Sequence, residues 1–210
     1  PNRYSTGLDD KTFSLAVSGL PTLASTDDGH AVVAYGSSAS DKLIYARVRT
    51  PSGVWGAQQT LATTQTADTV KRIALVQESR ATLKLVFFDG AYKIRTLTFI
   101  PWVAFTGSTG TVLNSDNLTG SIVAGTFCAA QVDSHLTILY RLITTDRVVM
   151  RQDTGAEVTA FYIGTSTTSV SITATNGRLH CVAHDSTNGG VTAYRQNVDG
   201  TWTSINNTLT

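Results

Sequence analysis

The segment with the most conspicuous reactive side chains is NGRLHCVAHD, residues 176–185, which contains His180, Cys181 and His184. Imidazole and thiolate groups at short spacing are common zinc ligands. The alternating apolar residues around them instead predict a β-strand, in which neighbouring side chains point to opposite faces. His180 and His184 would then share one face about 13 Å apart, too far for ligand bonds of about 2.0–2.3 Å to one ion, with Cys181 on the other face. We therefore expect no metal and no other cofactor.

Short alternating runs of this kind recur along the chain and are separated by turn residues. The segments DGHAVVAYG (28–36), DSHLTILYR (133–141) and NGRLHCVAH (176–184) share a turn pair, a polar residue and an apolar strand. The segment ESRATLKLVFF (78–88) is a looser copy. Asn-Gly and Asp-Gly suit the positive φ angles of two-residue hairpin turns. Each copy therefore predicts two adjacent antiparallel strands.

Two further features recur downstream of each hairpin. An arginine lies in a third strand, and a bulky apolar residue follows a later turn. The arginines are Arg47, Arg95, Arg151 and Arg195, and the bulky residues are Trp55, Trp102, Val158 and Trp202. Another alternating strand precedes each hairpin turn, so each unit holds four strands. Four antiparallel strands in a unit of roughly 40 to 50 residues are typical of a β-propeller blade.

The repeat predicts an all-β protein, a β-propeller of about four four-stranded antiparallel blades that occupies residues 1–210 as one domain. The blades correspond approximately to residues 21–62, 70–113, 125–164 and 167–210, with residues 1–20 as an extra strand or closure segment. A jelly-roll β-sandwich is the alternative, since Thr-rich chains of this length also form that fold. The sandwich does not explain an arginine and a bulky apolar residue in each quarter. A fragment of a larger ring also stays open.

Two segments resemble blades of a known class. Residues 31–62 and 178–210 are similar to blades of sialidase-like propellers and of propeller lectins with a Gly-x-Trp or Gly-Trp turn. The turns NVDGTW and TPSGVW resemble the sialidase motif Ser-x-Asp-x-Gly-x-Thr-Trp, although the first lacks its serine and the second its aspartate. The resemblance implies a propeller fold. It also implies, for a sialidase, three arginines for the substrate carboxylate, a Tyr-Glu nucleophile and an aspartate acid/base.

The residues themselves argue against catalysis. Glycoside hydrolysis generally needs two carboxyl groups at a set separation. The chain has only two glutamates, Glu78 and Glu157, and neither position points to a central cleft. Most aspartates stand in turns, where they shape the backbone. No Gly-x-Ser-x-Gly elbow is present. We therefore interpret the protein as a non-enzymatic domain.

The better functional candidates are aromatic and arginine side chains. An aromatic ring can stack on the apolar face of a sugar, and a few polar groups then fix its orientation. The candidate ligand-binding residues are Trp55, Trp102, Trp202, Tyr45, Tyr194, Arg47, Arg95, Arg151 and Arg195. Packing between blades is the alternative role for each, because a residue present in every blade is also explained by the symmetry of packing.

The predicted function is binding of carbohydrate or another surface ligand, by a domain of a secreted protein, a phage tail fibre or a virion. The predicted partners are a cell-surface glycan and other protein chains of the same assembly, including further copies in a homo-oligomer. The alternatives are a structural or assembly component of a viral or phage particle and, less favoured, a degenerate sialidase-like glycoside hydrolase.

Composition limits the other partners. The net charge is +1, and no basic run exceeds VKR at 70–72, so nucleic-acid binding through phosphates is not expected. Apolar runs such as LKLVFF at 83–88 are far shorter than the roughly 20 residues that cross a bilayer, so membrane insertion is not expected. The hydroxyl-rich, charge-poor composition favours an extracellular or virion-surface location. Cys128 and Cys181 are expected to be reduced and buried, with a single disulfide as the alternative.

Overall fold

A computed structural model describes most of the chain. The described residues are 17–37, 40–68, 71–91, 93–114, 118, 121–163, 168–185 and 190–209. They form four antiparallel sheets, each of four strands in consecutive order, which lie in a ring as the blades of a β-propeller. The predicted fold is therefore confirmed. No helix in these ranges is long and apolar enough to span a membrane.

The strands of each blade follow one another in the sequence. Blade 1 contains β1 (Val17–Ser25), β2 (Ala31–Ser37), β3 (Asp41–Arg49) and β4 (Gln59–Asp68). Blade 2 contains β5 (Ile73–Gln77), β6 (Leu83–Phe88), β7 (Ile94–Phe99) and β8 (Thr111–Val112). Blade 3 contains β9 (Cys128–Val132), β10 (His135–Arg141), β11 (Arg147–Gln152) and β12 (Val158–Tyr162). Blade 4 contains β13 (Ser169–Thr175), β14 (Arg178–Asp185), β15 (Gly190–Gln196) and β16 (Trp202–Leu209).

The segment predicted as an extra strand or closure piece is described only at its end. Residues 1–16 lie outside the described residues, and residues 17–20 belong to β1. A single 3-10 turn, Ala124–Thr126, precedes β9. The first strand of each blade lies next to the first strand of the following blade, in the order β1, β5, β9 and β13.

The hairpin turns form where the sequence predicts them. Asn176 and Gly177 have φ angles of 51° and 69° between β13 and β14, and Asp133 has a φ of 54° between β9 and β10. An ideal Cβ at Gly177 would meet no atom within 4 Å. Glycine is therefore favoured there by its backbone conformation and not by lack of space.

Three apolar clusters fill the junctions between successive blades. Each strand alternates its side chains, so a blade gives one row to the preceding blade and the other to the following one. Buried members include Ile44 with Leu85 between blades 1 and 2, Val86 with Tyr140 between blades 2 and 3, and Val148 with Cys181 between blades 3 and 4. These junctions supply the hydrophobic core that holds the blades in place.

The junction between blades 4 and 1 differs from the other three. Among the described residues, no apolar cluster joins these two blades. Leu23 of β1 is 65% exposed and Val182 of β14 is 46% exposed. The described part of the ring is therefore held together chiefly by its three consecutive junctions.

The two cysteines lie together in the cluster between blades 3 and 4, and both thiols are free. Burial raises the pKa of the Cys181 thiol to about 12. Burial, together with the nearby Cys181, also raises the pKa of Cys128 well above its usual value. Both side chains therefore act as small apolar core residues and not as nucleophiles.

Candidate functional site

Arg151 is fixed by partners inside the protein. Its side chain is 1% exposed. Its Nε donates to the Tyr140 hydroxyl at 3.0 Å, its Nη1 donates to the Gly155 carbonyl at 3.0 Å, and its Nη2 lies 3.9 Å from Glu157 Oε1. Tyr140 in turn donates to Glu157, and burial together with this bond raises the pKa of Tyr140 far above its usual value. Arg151 thus stabilises the face of blade 3 that packs on blade 2.

Arg95 has a similar internal role in blade 2. Its Nε donates to Asp89 Oδ2 at 2.8 Å, and the Asp89 side chain is fully buried. Its Nη1 lies 3.4 Å from the carbonyl oxygens of Thr109 and Gly110. The side chain therefore ties β7 to the residues before β8, and these contacts use its donors within the blade.

Arg47 and Tyr45 lie on the face of blade 1 that points away from blade 2. The opposite face of the same strands is occupied by Ala34 and its neighbours, which pack on blade 2. Tyr45 lies beside Tyr35, with ring centroids 6.1 Å apart, and Tyr35 donates to Gln58 at 2.8 Å. Burial, followed by the charge of Asp41, raises the pKa of Tyr45. These side chains form a partly buried patch outside the three filled junctions.

Arg195 does not correspond structurally to Arg151. Arg151 pairs with Ile138, whose side chain faces the preceding blade. Arg195 pairs with His180, whereas its neighbour Tyr194 pairs with Cys181 on the face that packs on blade 3. A one-residue difference in register thus turns Arg195 to the opposite face.

Aligning the repeats by sequence puts His184 in the place of Tyr35 and Tyr140, and the same register shows that this interpretation is wrong. His180 and His184 share one face of β14, as predicted, and Cys181 lies on the other. The face of β14 that carries the two histidines points away from blade 3. Tyr140 instead lies on the face of blade 3 that packs on blade 2. His184 is therefore not the structural counterpart of Tyr140.

Trp202 and Tyr194 form an interior aromatic group. The Tyr194 ring stacks on Phe161 of blade 3 with centroids 4.0 Å apart and planes at 10°. Trp202 meets the same ring edge-on at 5.6 Å and 65°. The Trp202 Nε1 is buried and has no hydrogen-bond partner among the described residues. These two side chains fill the junction between blades 3 and 4.

Trp102 lies in a contrasting environment. It stands in the loop between β7 and β8 and is 50% exposed. Its ring centroid is 4.8 Å from that of His30, which follows the β1–β2 turn of blade 1. His30 Nδ1 is 3.0 Å from Asp28 Oδ1. An open indole face, an imidazole and a carboxylate therefore meet where the β7–β8 loop of blade 2 reaches the β1–β2 turn of blade 1. We call this loop-bearing end the outer end of the junction between blades 1 and 2.

Asp28 is held as a charged acceptor. Hydrogen bonds from the Thr26 hydroxyl and then from His30 lower the pKa of Asp28.

Trp55, the remaining tryptophan, lies half-buried in the loop before β4 and pairs through its backbone with Arg49. The nine predicted residues thus do not converge on one site. Of the three tryptophans, Trp102 is the one with an open face beside polar groups.

A second polar groove lies at the equivalent place between blades 3 and 4. His135 follows the β9–β10 turn just as His30 follows the β1–β2 turn, and its Nδ1 is 2.7 Å from Asp153 Oδ2. The groove has a volume of about 330 Å³, which is on the scale of small-ligand sites. Its other polar walls come from Thr137, Gln152, Arg178, Gln196 and Asn197.

His30 and His135 are functional candidates that the sequence-based selection missed. The signal was present in the aligned hairpins, because both histidines occupy the polar position directly after the turn pair. Burial favours a higher pKa for Asp153, but hydrogen bonds from His135 and the Leu136 N–H outweigh it and lower that pKa. The charged Asp153 therefore orients His135 at the groove.

Comparison with known proteins gives structural matches only. No protein-family model and no curated protein matches the sequence. A mutant of Aleuria aurantia lectin in complex with alpha-methyl-L-fucoside matches with a TM-score of 0.63 and 12% identity, over 84% of this chain and 56% of that one. AofleA from Arthrobotrys oligospora matches with a TM-score of 0.61 and 12% identity, over 91% and 58%. The alpha-L-arabinofuranosidase PaAbf62A from Podospora anserina, in complex with cellotriose, matches with a TM-score of 0.61 and 12% identity, over 100% and 71%.

These likenesses establish the propeller fold. The chain spans 56% of the length of the Aleuria aurantia lectin and 58% of that of AofleA. The neighbours include both lectins and glycoside hydrolases, so one architecture supports binding and catalysis. The function must therefore be inferred from this chain's own side chains.

Proposed function

We propose that the chain is a non-enzymatic carbohydrate-binding propeller whose sites lie at the outer ends of the junctions between blades. The observation that carries the proposal is the open indole of Trp102 beside His30 and Asp28. The indole face suits the apolar face of a pyranose, while the imidazole and the carboxylate suit its hydroxyl groups. An exposed aromatic ring next to oriented polar groups is the arrangement that a sugar site requires.

The groove between blades 3 and 4 supports the same proposal. It repeats a histidine after the first hairpin turn, paired with an aspartate, and adds the amides of Gln196 and Asn197. The amide nitrogens donate within the protein, to Met150 and Gly200 and to Thr201 and Thr203. The fixed amide oxygens suit sugar hydroxyls as acceptors. Two sites on one rigid ring would bind a multivalent glycan surface more tightly than a free sugar.

Glycoside hydrolysis is the second candidate, because enzymes are among the structural neighbours. The acid of such an enzyme needs a raised pKa. Glu78 lies 2.5 Å from Lys84 Nζ, and its hydrogen bonds to Lys84 and Thr98 outweigh the effect of burial and lower its pKa. Glu157 is held by Tyr140 and Arg151 in a junction. Glu78 is therefore not suited to protonate a leaving group, and Glu157 is already engaged by two side chains inside the protein.

Hydrolysis assays distinguish the two candidates. We expect no turnover of nitrophenyl α-L-arabinofuranoside or of a fluorogenic sialoside. Activity that disappears in Glu78→Gln or Glu157→Gln would replace the binding proposal with an enzymatic one.

Titration calorimetry with methyl α-L-fucoside and other methyl glycosides tests the binding proposal. Trp102→Ala is expected to weaken binding at its site by at least about tenfold through loss of stacking. Tyr162→Phe is the matched control, because Tyr162 is also an exposed aromatic residue, at 67%, but lies away from the Trp102 group. Unchanged affinity in Trp102→Ala, or no binding of any glycan by folded protein, would contradict the proposal.

The biological setting is part of the proposal and rests on composition. An extracellular or virion-surface location, as in a secreted protein or a phage tail fibre, would give the sites access to cell-surface glycans. A purely structural role in a particle predicts instead that a protein partner covers Trp102. If that partner is a second copy of this chain, solution scattering and mass measurement at increasing concentration would reveal the homo-oligomer.

A further inference from the structure

We propose that a cavity on the propeller axis is a separate binding site for a neutral, pyranose-sized polyol. The proposal deepens the carbohydrate-binding function and rests on it. The cavity has a volume of about 480 Å³ and is lined by the innermost strands β5, β9 and β13 and by the turn after β5. Its size falls in the range of small-ligand sites.

The walls of this axial cavity combine apolar and uncharged polar surface. The apolar part consists of Leu75, Val76, Ala129, Ala130, Ile172 and Ala174. The uncharged polar part consists of Gln77, Ser79, Gln131 and Thr173. Small apolar side chains beside amides and hydroxyls match the alternating C–H and O–H groups of a sugar.

Gln131 provides the most specific indication of a ligand. Its Oε1 atom is buried and accepts no hydrogen bond among the described residues. Buried acceptors are almost always paired, because an unmade hydrogen bond is costly. Gln131 lines the axial cavity, so a rotation of its amide would bring this oxygen to a ligand hydroxyl that donates to it and removes that cost.

The electrostatics of the axial cavity favour a neutral ligand. Glu78 is the one ionisable side chain among the described lining residues, and Lys84 neutralises it at 2.5 Å. A lone, ion-paired carboxylate does not supply the two carboxyl groups that hydrolysis needs. The site is therefore suited to hold a sugar without cleaving it.

The axial cavity is distinct from the outer sites. It shares no lining residue with the groove beside His135. Trp102 and His30 also lie outside its lining. A ligand on the axis would therefore respond to different substitutions from a ligand at the blade junctions.

Amide NMR of ¹⁵N-labelled protein tests the axial site. The probes are methyl α-L-fucoside, methyl β-D-galactoside and methyl α-D-mannoside at millimolar concentration. The Gln131 side-chain amide, assigned by its loss in Gln131→Leu, is expected to shift with at least one sugar in both the wild type and Trp102→Ala. In Gln131→Leu, which lacks that probe, the backbone amide of Thr173 in the same lining reports the axial affinity, which should fall at least about tenfold while the Trp102 response persists.

A second variant keeps the test decisive if Gln131→Leu does not fold. Thr173 is exposed on β13, and Thr173→Val keeps its shape while it removes the hydroxyl, so axial binding should weaken several-fold. No Gln131 shift with any of the three sugars, or a shift that disappears in Trp102→Ala, would overturn the axial site. A Gln131 shift without any response of Trp102 would support the axial site and overturn the outer-site proposal.

Discussion

Trp202 and Trp102 occupy corresponding positions in the sequence of their blades but opposite environments in the fold. Trp202 meets Phe161 of the preceding blade inside a filled junction. Trp102 meets His30 of the preceding blade at an open end and is 50% exposed. The preceding blade thus decides whether the recurring tryptophan serves packing or remains available to a ligand.

The local backbone reinforces this difference. Trp202 begins the long strand β16 and pairs with Gln196, so its side chain is fixed on the face of blade 3. Trp102 lies in a loop that leads to β8, which has only two residues. A residue outside the strand ladder escapes the alternation that would bury it.

The largest contrast is expected between the arginines of blades 3 and 4. Arg151→Met should lower the free energy of unfolding by about 3–5 kcal/mol, because it removes the buried guanidinium group and leaves Glu157 without its charged partner. Arg195→Met, the matched control on the face of blade 4 turned away from blade 3, should change that energy by less than about 1 kcal/mol, because Arg195 is only half-buried. Urea denaturation measures both. Equal losses in the two variants would show that the register does not separate their roles.

The two tryptophans should differ next in stability. Trp202→Ala opens a cavity beside Phe161 and should cost about 3 kcal/mol. Trp102→Ala removes an exposed side chain and should cost no more than about 0.5 kcal/mol. Thermal unfolding of the two variants gives the comparison, and a larger loss in Trp102→Ala would reverse the assignment.

A smaller effect is expected from the groove beside His135. His135→Ala removes an imidazole held by Asp153 and should weaken binding to a glycan-coated surface by about tenfold through lost avidity. Binding of a free methyl glycoside at the Trp102 site should be unaffected. Surface binding that equals the wild type would exclude this groove from glycan contact.

The smallest effect is the pH dependence of Asp153. Its folded-state pKa is lowered, so its stabilising contribution is present above the unfolded value of about 4 and is lost as pH falls through the folded value. The pair with His135 is exposed, so the contribution is less than about 0.5 kcal/mol. Asp153→Asn should therefore be slightly less stable than the wild type at about pH 6. The two proteins should be equally stable at about pH 2, where Asp153 of the wild type is protonated. A difference that persists at the lower pH would contradict this origin.

The architecture was predictable because its signals are local. Asn176 and Gly177 specify a hairpin turn by their own backbone preferences, and the alternating residues beside them specify strands. The face of Arg195 was not predictable from its place in the repeat. A shift of one residue between turn and strand reverses the face of a side chain, and only the pairing with His180 reveals it.

The candidate sites were predictable only in part. Trp102 was selected with Trp55 and Trp202, but its exposure depends on His30, which comes from another blade. The pairing of His135 with Asp153 joins residues from two different turns, and the hairpin alignment shows only the histidine. Contacts between blades, and between separate turns of one blade, depend on tertiary packing and cannot be read from the hairpin alignment.

Fluorine NMR of protein labelled with 5-fluorotryptophan tests the central claim most directly. The chain has three tryptophans, so each gives one assignable resonance. During titration with a glycan that binds, the Trp102 resonance should shift with the binding curve while the Trp202 resonance stays in place. A shift of Trp202 or Trp55 with a static Trp102 would contradict the assignment of the open junction between blades 1 and 2 as a carbohydrate site.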